Sequence, residues 1–103
     1  MFVEISKYWG GGLSDSLFKA LADPTRREVL KRLQRGPATA GELADEFPQA
    51  KATLSHHFNV LKAAGLVRAE RKGQHVLYSL NTSVFEELAR MMAELFKPER
   101  KAK

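Results

Sequence analysis

Hydroxyl, imidazole and amide side chains are concentrated in the stretch KATLSHHFNVLKAAG, which runs from Lys51 to Gly65. Its apolar members Leu54, Phe58 and Leu61 recur at the spacing i, i+4 and i+7, which places them on one side of an α-helix. The opposite side then carries small and hydrogen-bonding residues, namely Ala52, Ser55, His56, Asn59 and Ala63, with Lys62 at its edge. Side chains of these types can pair with base edges, so this side of the helix suits a nucleic-acid groove better than open water.

The adjacent histidines His56 and His57 raise the question of a metal site. Neighbouring residues of a helix point about 100° apart, so the two imidazoles are poorly placed to chelate one ion. We predict that His56 faces outward beside Ser55, where it contacts DNA or is a silent surface residue. His57 is predicted to be partly buried and hydrogen-bonded within the protein.

Three other residues of this stretch are candidates for contact with nucleic acid. Lys51 lies near the predicted helix start, where a cation opposes the helix dipole by on the order of a few tenths of a kcal/mol. This position favours a nearby phosphate or guanine over an ordinary solvated lysine. Ala52 offers contact with a thymine methyl group, and Asn59 suits either adenine or a phosphate.

Three helices are predicted before this stretch, over about residues 15–22, 24–35 and 39–47. Asp23 followed by Pro24 is an N-cap signal with proline in the first turn. Thr39 and Glu42 have the spacing of a capping box. The few residues between the third helix and the central stretch have the length of the turn in a helix-turn-helix.

The sequence also predicts which side of these helices is buried. We expect Leu17, Phe18 and Leu21 to form the apolar side of the first helix. Arg26 and Arg27 are expected to be exposed on the second helix, with ion pairing inside the chain as their role.

After Gly65 the apolar period changes from 3.6 to 2, which predicts a β-hairpin with strands over 66–70 and 75–80. Its tip is basic because it contains Arg71 and Lys72. A last helix follows, with Asn81, Thr82 or Ser83 as its cap. The expected fold is therefore mainly α with a small β-hairpin wing, a winged helix-turn-helix of order ααααββα.

The composition is that of one small globular domain of 103 residues, with 44% hydrophobic residues and a formal net charge of +5. Nucleic acid or an acidic surface is the partner expected of such a charge. We divide the chain into a flexible arm (1–12), a winged helix-turn-helix domain (13–97) and a basic tail (98–103).

Several classes of function are excluded or disfavoured. There is no cysteine, hence no disulfide, thiolate nucleophile or thiolate metal site. A glycine-rich phosphate loop, a His-Glu-x-x-His motif and a nucleophile elbow are also missing. No apolar run approaches the roughly 18 residues that span a bilayer, and no signal peptide is visible. We predict a protein without catalytic residues or cofactor, not inserted in a membrane and located in the cytoplasm.

Three motifs, in this order and spacing, resemble the ArsR family of winged-helix repressors: LADPTRREVL at 21–30, TLSHHFNVLKAAGLV at 53–67 and ERKGQHVLYSL at 70–80. The resemblance extends over about residues 17–96. Within the family the sequence is most similar to the metal-independent, SdpR-like autorepressor branch, because of Lys51, the triplet Ser55-His56-His57 and the run LNTSVF at 80–85.

This resemblance implies a homodimeric transcriptional repressor that binds a palindromic operator in double-stranded DNA. The similarity to the autorepressor branch makes the promoter of the protein's own gene a candidate target. We expect DNA contacts from Lys51, Ala52, Ser55, His56 and Asn59 of the central helix and from Arg71, Lys72, Gln74 and His75 of the wing. The resemblance also implies a dimer interface between the first and last helices, formed by Leu13, Leu17, Leu88, Met91, Met92, Leu95 and Phe96.

The family's metal-ligand positions hold other residues in this chain. Where one branch has Cys-x-Cys in the third helix, Leu43, Ala44 and Asp45 stand here. Where another has Asp-x-His in the last helix, the chain has Asn81 and Ser83. We assign no metal ligand, and an inducer, if one exists, is an unknown protein or small molecule bound elsewhere. Two alternatives stay open: a protein-interaction module with an incidental basic surface, and a metal- or ligand-responsive sensor with a different kind of site.

Overall fold

The computed structural model describes residues 13–98, with the backbone alone for residues 13 and 14. The elements follow in the order α1 (Leu13–Leu21), α2 (Pro24–Leu33), β1 (Ala38–Thr39), α3 (Ala40–Glu46), α4 (Lys51–Ala63), β2 (Val67–Lys72), β3 (His75–Leu80) and α5 (Thr82–Phe96). The winged helix-turn-helix fold is confirmed. The predicted arm, the tail from residue 99 onward and the side chain of Ser14 lie outside what the structure describes.

Side-chain caps begin α2 and α3, as their sequences predict. Asp23 Oδ2 accepts a hydrogen bond of 3.1 Å from the backbone N–H of Arg26. At α3 the capping box is complete, because Thr39 Oγ1 accepts from the N–H of Glu42 at 3.1 Å and Glu42 Oε1 accepts from the N–H of Thr39 at 2.8 Å. These bonds satisfy N–H groups that have no partner within the helix.

The sheet is antiparallel with strand order β1-β3-β2, so β3 is central. β1 was not predicted, since two residues are too short to show an alternating pattern; Ala38 pairs with Tyr78 of β3. The ring of Tyr78 lies 4.8 Å from that of Phe58, which joins the sheet to α4. Burial raises the pKa of the Tyr78 hydroxyl above its ordinary value.

One apolar core lies beneath the helices and the sheet. It contains Leu17, Ala20, Val29, Leu30, Leu33, Ala38, Leu43, Leu54, Phe58, Leu61, Ala64, Leu66 and Val67. The predicted apolar side of the central helix is therefore confirmed. Gly65 follows α4 with φ of +80°, a conformation that favours glycine, and the N–H of Leu66 bonds back to Leu61 O at 3.0 Å.

Two local predictions are wrong, and a third is confirmed in position only. Phe18 was expected to face the core but is 40% exposed, since its neighbour Leu17 takes the core position. Arg26 was expected to be exposed but is half-buried between helices. Asn81, one of the three predicted caps, is the N-cap residue of α5, but its side chain makes no capping bond because its amide group donates to Gly65 O at 3.0 Å.

Candidate nucleic-acid interface

α3, a short turn and α4 form the helix-turn-helix. The turn is fixed to α2 because Gln49 Nε2 donates to Thr25 Oγ1 at 3.1 Å. The apolar side of α4 packs into the core through Leu54, Phe58 and Leu61. The opposite side of α4 is consequently held in a fixed orientation.

The exposed side of α4 carries every residue of this helix that the sequence assigned to DNA. Lys51, Ala52, Ser55, His56 and Asn59 are all exposed. At 100° per residue they share an arc of about 140° with Lys62 and Ala63. Side chains on this arc can enter one groove together, and their predicted exposure is confirmed.

The start of α4 differs from that of α2 and α3. Its N-cap residue, Ala50, makes no side-chain hydrogen bond to the helix. Thr53 is also exposed in this first turn. It is not among the predicted contacts, although its hydroxyl stands next to Ala52 in the sequence. Free N–H groups, a lysine and a hydroxyl at a helix start form a favourable environment for an anionic oxygen.

A small concavity of about 180 Å³ lies between α3 and α4. Ala40, Gly41 and Ala44 line it from α3, and Lys51 and Ser55 line it from α4. Because the α3 residues are small, the two helices leave room beside the polar side of α4. The polar side of α4 can thus be approached from the side of α3.

The wing is longer than predicted, since β2 extends to Lys72 and the turn consists of Gly73 and Gln74. Gly73 has φ of +62°, which suits the first position of a two-residue hairpin turn. The predicted contacts Arg71, Lys72, Gln74 and His75 are all exposed around this turn.

The two basic residues of the wing tip point to opposite faces. Successive side chains of a strand alternate, so Arg71 shares a face with the buried Val67, whereas Lys72 shares the other face with Glu70. Lys72 Nζ lies 3.6 Å from Glu70 Oε2. Within residues 13–98, Arg71 forms no ion pair, so no carboxylate offsets the charge of this exposed side chain.

Acidic charge on α3 is partly neutralised inside the molecule. Arg32 Nε donates to Glu46 Oε1 at 2.7 Å. This hydrogen bond lowers the pKa of the Glu46 carboxyl and raises the pKa of the Arg32 guanidinium. The second acid, Glu42, is engaged in the capping box. Among the three acidic residues of α3, Glu46 is the one that forms an ion pair within the described residues, and Asp45 is exposed.

The two adjacent histidines are separated as predicted. His56 is exposed on the polar side of α4. His57 is only 8% exposed, and its Nδ1 lies 3.1 Å from Arg26 Nη1. The expectation of a buried, hydrogen-bonded His57 is confirmed, although its partner was not foreseen.

Comparisons with known proteins agree with this geometry. A family model described as a helix-turn-helix domain matches residues 21–70. The transcriptional repressor SdpR of Bacillus subtilis is 47% identical over 73 residues, which cover 71% of this chain and 81% of SdpR. The crystal structure of an ArsR family transcriptional regulator has a TM-score of 0.74 at 35% identity, covering 85% of this chain and 94% of that one. The chain belongs to the ArsR family. An ArsR-like transcriptional regulator from Rhodococcus sp. RHA1 is similar too, with a TM-score of 0.72, 32% identity and coverage of 79% of this chain and 76% of that one.

Membership of the ArsR family confirms the resemblance seen in the three motifs. The relatives named above are transcriptional regulators, not enzymes, and the prediction of a non-enzymatic protein is confirmed. Among residues 13–98, no three histidine, aspartate or glutamate side chains gather where they could hold a metal ion. None of the helices in that range is long and apolar enough to cross a membrane.

The expected ArsR-type dimer residues fall into two groups. Met92, Leu95 and Phe96 are exposed on α5. Leu17 and Met91 are 1% and 0% exposed in the single chain, and Leu88 is buried too, so these three side chains have little surface left for a partner. On α1, Phe18 is exposed beside the buried Leu17. The side chain of Leu13 lies outside the described part of the chain.

Proposed function

We propose that this ArsR-family protein is a DNA-binding transcriptional repressor that acts in the cytoplasm as a homodimer on a palindromic operator. The observation that carries the proposal is the exposed polar side of α4, which is flanked by the basic wing. Base contacts come from Lys51, Ala52, Ser55, His56 and Asn59 of α4. Backbone contacts come from Arg71, Lys72, Gln74 and His75 of the wing.

The polar side of α4 fits a major groove in size and chemistry. A single α-helix fills that groove, and serine, histidine, asparagine and lysine pair with the donors and acceptors of base edges. Alanine at position 52 leaves space for a thymine methyl group. The apolar side of α4 is fixed in the core, so the helix can present only its exposed polar side to DNA.

Exposed apolar residues support the homodimer. Phe18 of α1 and Met92, Leu95 and Phe96 of α5 are large and exposed. Met92, Leu95 and Phe96 stand at i, i+3 and i+4, so they lie on one side of α5. An apolar surface on the first and last helices indicates a protein contact, and a second copy of the chain buries both helices symmetrically.

The mechanism is steric exclusion. In a two-fold dimer, the two α4 helices enter successive major grooves about 34 Å apart, so the half-sites are separated by one turn of DNA. Occupation of such a site within a promoter blocks polymerase. The promoter of the protein's own gene is the first target to test, given the similarity to the SdpR sequence.

Selection of bound fragments from a random DNA pool tests this proposal directly. We expect an enriched palindrome with half-sites one helical turn apart, bound at nanomolar protein with a steep dependence on salt. Binding without any enriched sequence, or no binding at all, contradicts the proposal and favours a protein-interaction module. Unchanged operator affinity in the presence of zinc or a chelator is expected as well, and a tenfold change would instead indicate a metal sensor.

A further inference from the structure

The guanidinium of Arg26 joins three helices. It lies on α2, and its Nε donates to Ala20 O at 2.8 Å while its Nη2 donates to Lys19 O at 3.0 Å. These are carbonyls at the C-terminal end of α1, where a cation also interacts favourably with the helix dipole. The third nitrogen, Nη1, lies 3.1 Å from His57 Nδ1 on α4. One side chain therefore connects the first helix, the second helix and the candidate reading helix.

The chemistry of this contact fixes the state of His57. Arginine has five N–H donors and no acceptor, so His57 Nδ1 must accept the hydrogen bond through its lone pair. The imidazole proton then resides on Nε2. That nitrogen faces Asp23, whose Oδ2 lies 3.9 Å away. The same carboxylate caps α2. The imidazole ring has Nδ1 toward Arg26 and Nε2 toward Asp23, and turning the ring over would break the hydrogen bond with Arg26.

The contact between Arg26 and His57 also affects the orientation of the exposed side of α4. His57 is the immediate neighbour of His56, which is exposed on the polar arc, and of Phe58, which packs in the core. A rotation of α4 that breaks the contact moves His56 and Ser55 by the same angle. Apolar packing tolerates small rotations, whereas a hydrogen bond weakens steeply with distance and angle.

We propose that Arg26 and His57 are positioning residues for DNA recognition, which hold α4 in its reading orientation against α1 and α2 without touching DNA. The inference rests on the proposed DNA-binding function of α4. It also gives a role to two of the conspicuous sequence motifs, since Asp23 and Arg26 belong to LADPTRREVL and His57 belongs to TLSHHFNVLKAAGLV.

The main test compares three variants on the operator selected from the random pool. Arg26→Met keeps the length of the side chain but removes its donors, and His57→Leu keeps much of the ring's volume but removes the acceptor. Each is expected to weaken operator binding about tenfold, the size of one lost hydrogen bond to a charged group. The double variant should be no weaker than Arg26→Met alone, because Arg26→Met already removes the contact with His57 that His57→Leu removes.

Two controls separate positioning from general loss of stability. His57→Asn keeps an acceptor near the place of Nδ1 and should restore most of the affinity that His57→Leu loses. Val29→Ala removes methyl groups from the core of α2 and lowers the melting temperature, but its folded fraction should bind the operator as the wild type does. If Arg26→Met fails to fold, the comparison of His57→Leu with His57→Asn still decides the question.

Nitrogen NMR of the imidazole gives a readout that packing alone does not move. The wild type should show a neutral His57 with its proton on Nε2, and Arg26→Met should shift the Nδ1 resonance toward that of a free acceptor. A proton on Nδ1 in the wild type overturns the proposal. So does wild-type affinity in Arg26→Met or His57→Leu, or affinity losses that multiply in the double variant. Failure of the wild type to select any DNA, by contrast, rejects the proposed function itself.

Discussion

Lys72 and Glu70 form an ion pair of 3.6 Å on one face of the wing, and Arg71 projects from the other face. The sequence places Arg71 and Lys72 side by side and suggests equal roles for them. Strand geometry makes them unequal, since Lys72 is paired with the carboxylate of Glu70 and Arg71 is not paired with a carboxylate of the described residues.

We predict that Arg71→Ala weakens binding to all DNA sequences more than Lys72→Ala does. Loss of one phosphate contact should reduce the slope of log K against log salt by about one unit for Arg71→Ala. The slope for Lys72→Ala should change less, because Glu70 already opposes that charge. Titrations of operator and random DNA at several salt concentrations measure both effects. Lys31→Ala on α2, an exposed lysine away from the wing, is the matched control. Equal slopes for the two wing variants would contradict the assignment of faces.

His56→Ala should alter sequence preference and leave the salt dependence nearly unchanged. The imidazole is exposed on the polar arc of α4, and a base contact contributes about 1–3 kcal/mol of discrimination. The affinity ratio between operator and random DNA should therefore fall about tenfold or more. Competition binding at one salt concentration measures this ratio. Equal losses on both kinds of DNA would assign His56 to the backbone instead.

The stability of the fold should decrease in acid through Asp23 and Glu46. The backbone N–H of Arg26 lowers the pKa of Asp23 below its ordinary 3.8, and the side chain of Arg32 lowers the pKa of Glu46 below its ordinary 4.5. A carboxyl whose pKa is lowered by folding stabilises the protein above its unfolded pKa, and this contribution is lost as the pH falls through the folded pKa. Urea unfolding should give a nearly constant free energy above pH 6 and a decline below about pH 4.5.

Two substitutions isolate these carboxylates. Asp23→Asn keeps an oxygen that can cap α2, and Glu46→Gln keeps an acceptor for Arg32. Both should flatten the decline in acid compared with the wild type. Asp15→Asn, on an exposed residue of α1, is the control and should leave the decline unchanged. A decline as steep as that of the wild type in both variants would place the pH dependence elsewhere.

Local patterns were sufficient for most of the fold and for the exposed side of α4. Caps such as Asp23 and Thr39 act over three residues, and the apolar spacing of Leu54 and Phe58 identifies the opposite, exposed arc. The alternating pattern after Gly65 likewise predicted the hairpin. These features depend on neighbours in the sequence and need no knowledge of tertiary packing.

Features that depend on distant residues were not predictable. The contact between Arg26 and His57 joins positions 31 residues apart, and nothing local marks either residue as the other's partner. β1 exists only because β3 passes beside it. The choice between Leu17 and Phe18 as the core residue is set by the packing of α1 on α2 and α4, since adjacent apolar residues are equivalent in a sequence pattern.

Leu95→Glu should separate the proposed dimer into monomers while leaving each chain folded. Leu95 is 53% exposed on the apolar side of α5, so a carboxylate there costs little in the single chain. At a homodimer interface, two such charges would be buried near each other, which is strongly unfavourable. Light scattering coupled to size-exclusion chromatography should show half the mass, and circular dichroism should show unchanged helix content. Operator affinity should fall by more than tenfold, because one α4 helix cannot occupy two half-sites.

Ala93→Glu, at an exposed position on a different side of α5, should remain dimeric. A Leu95→Glu protein that keeps the mass of a dimer would show that this surface has another partner.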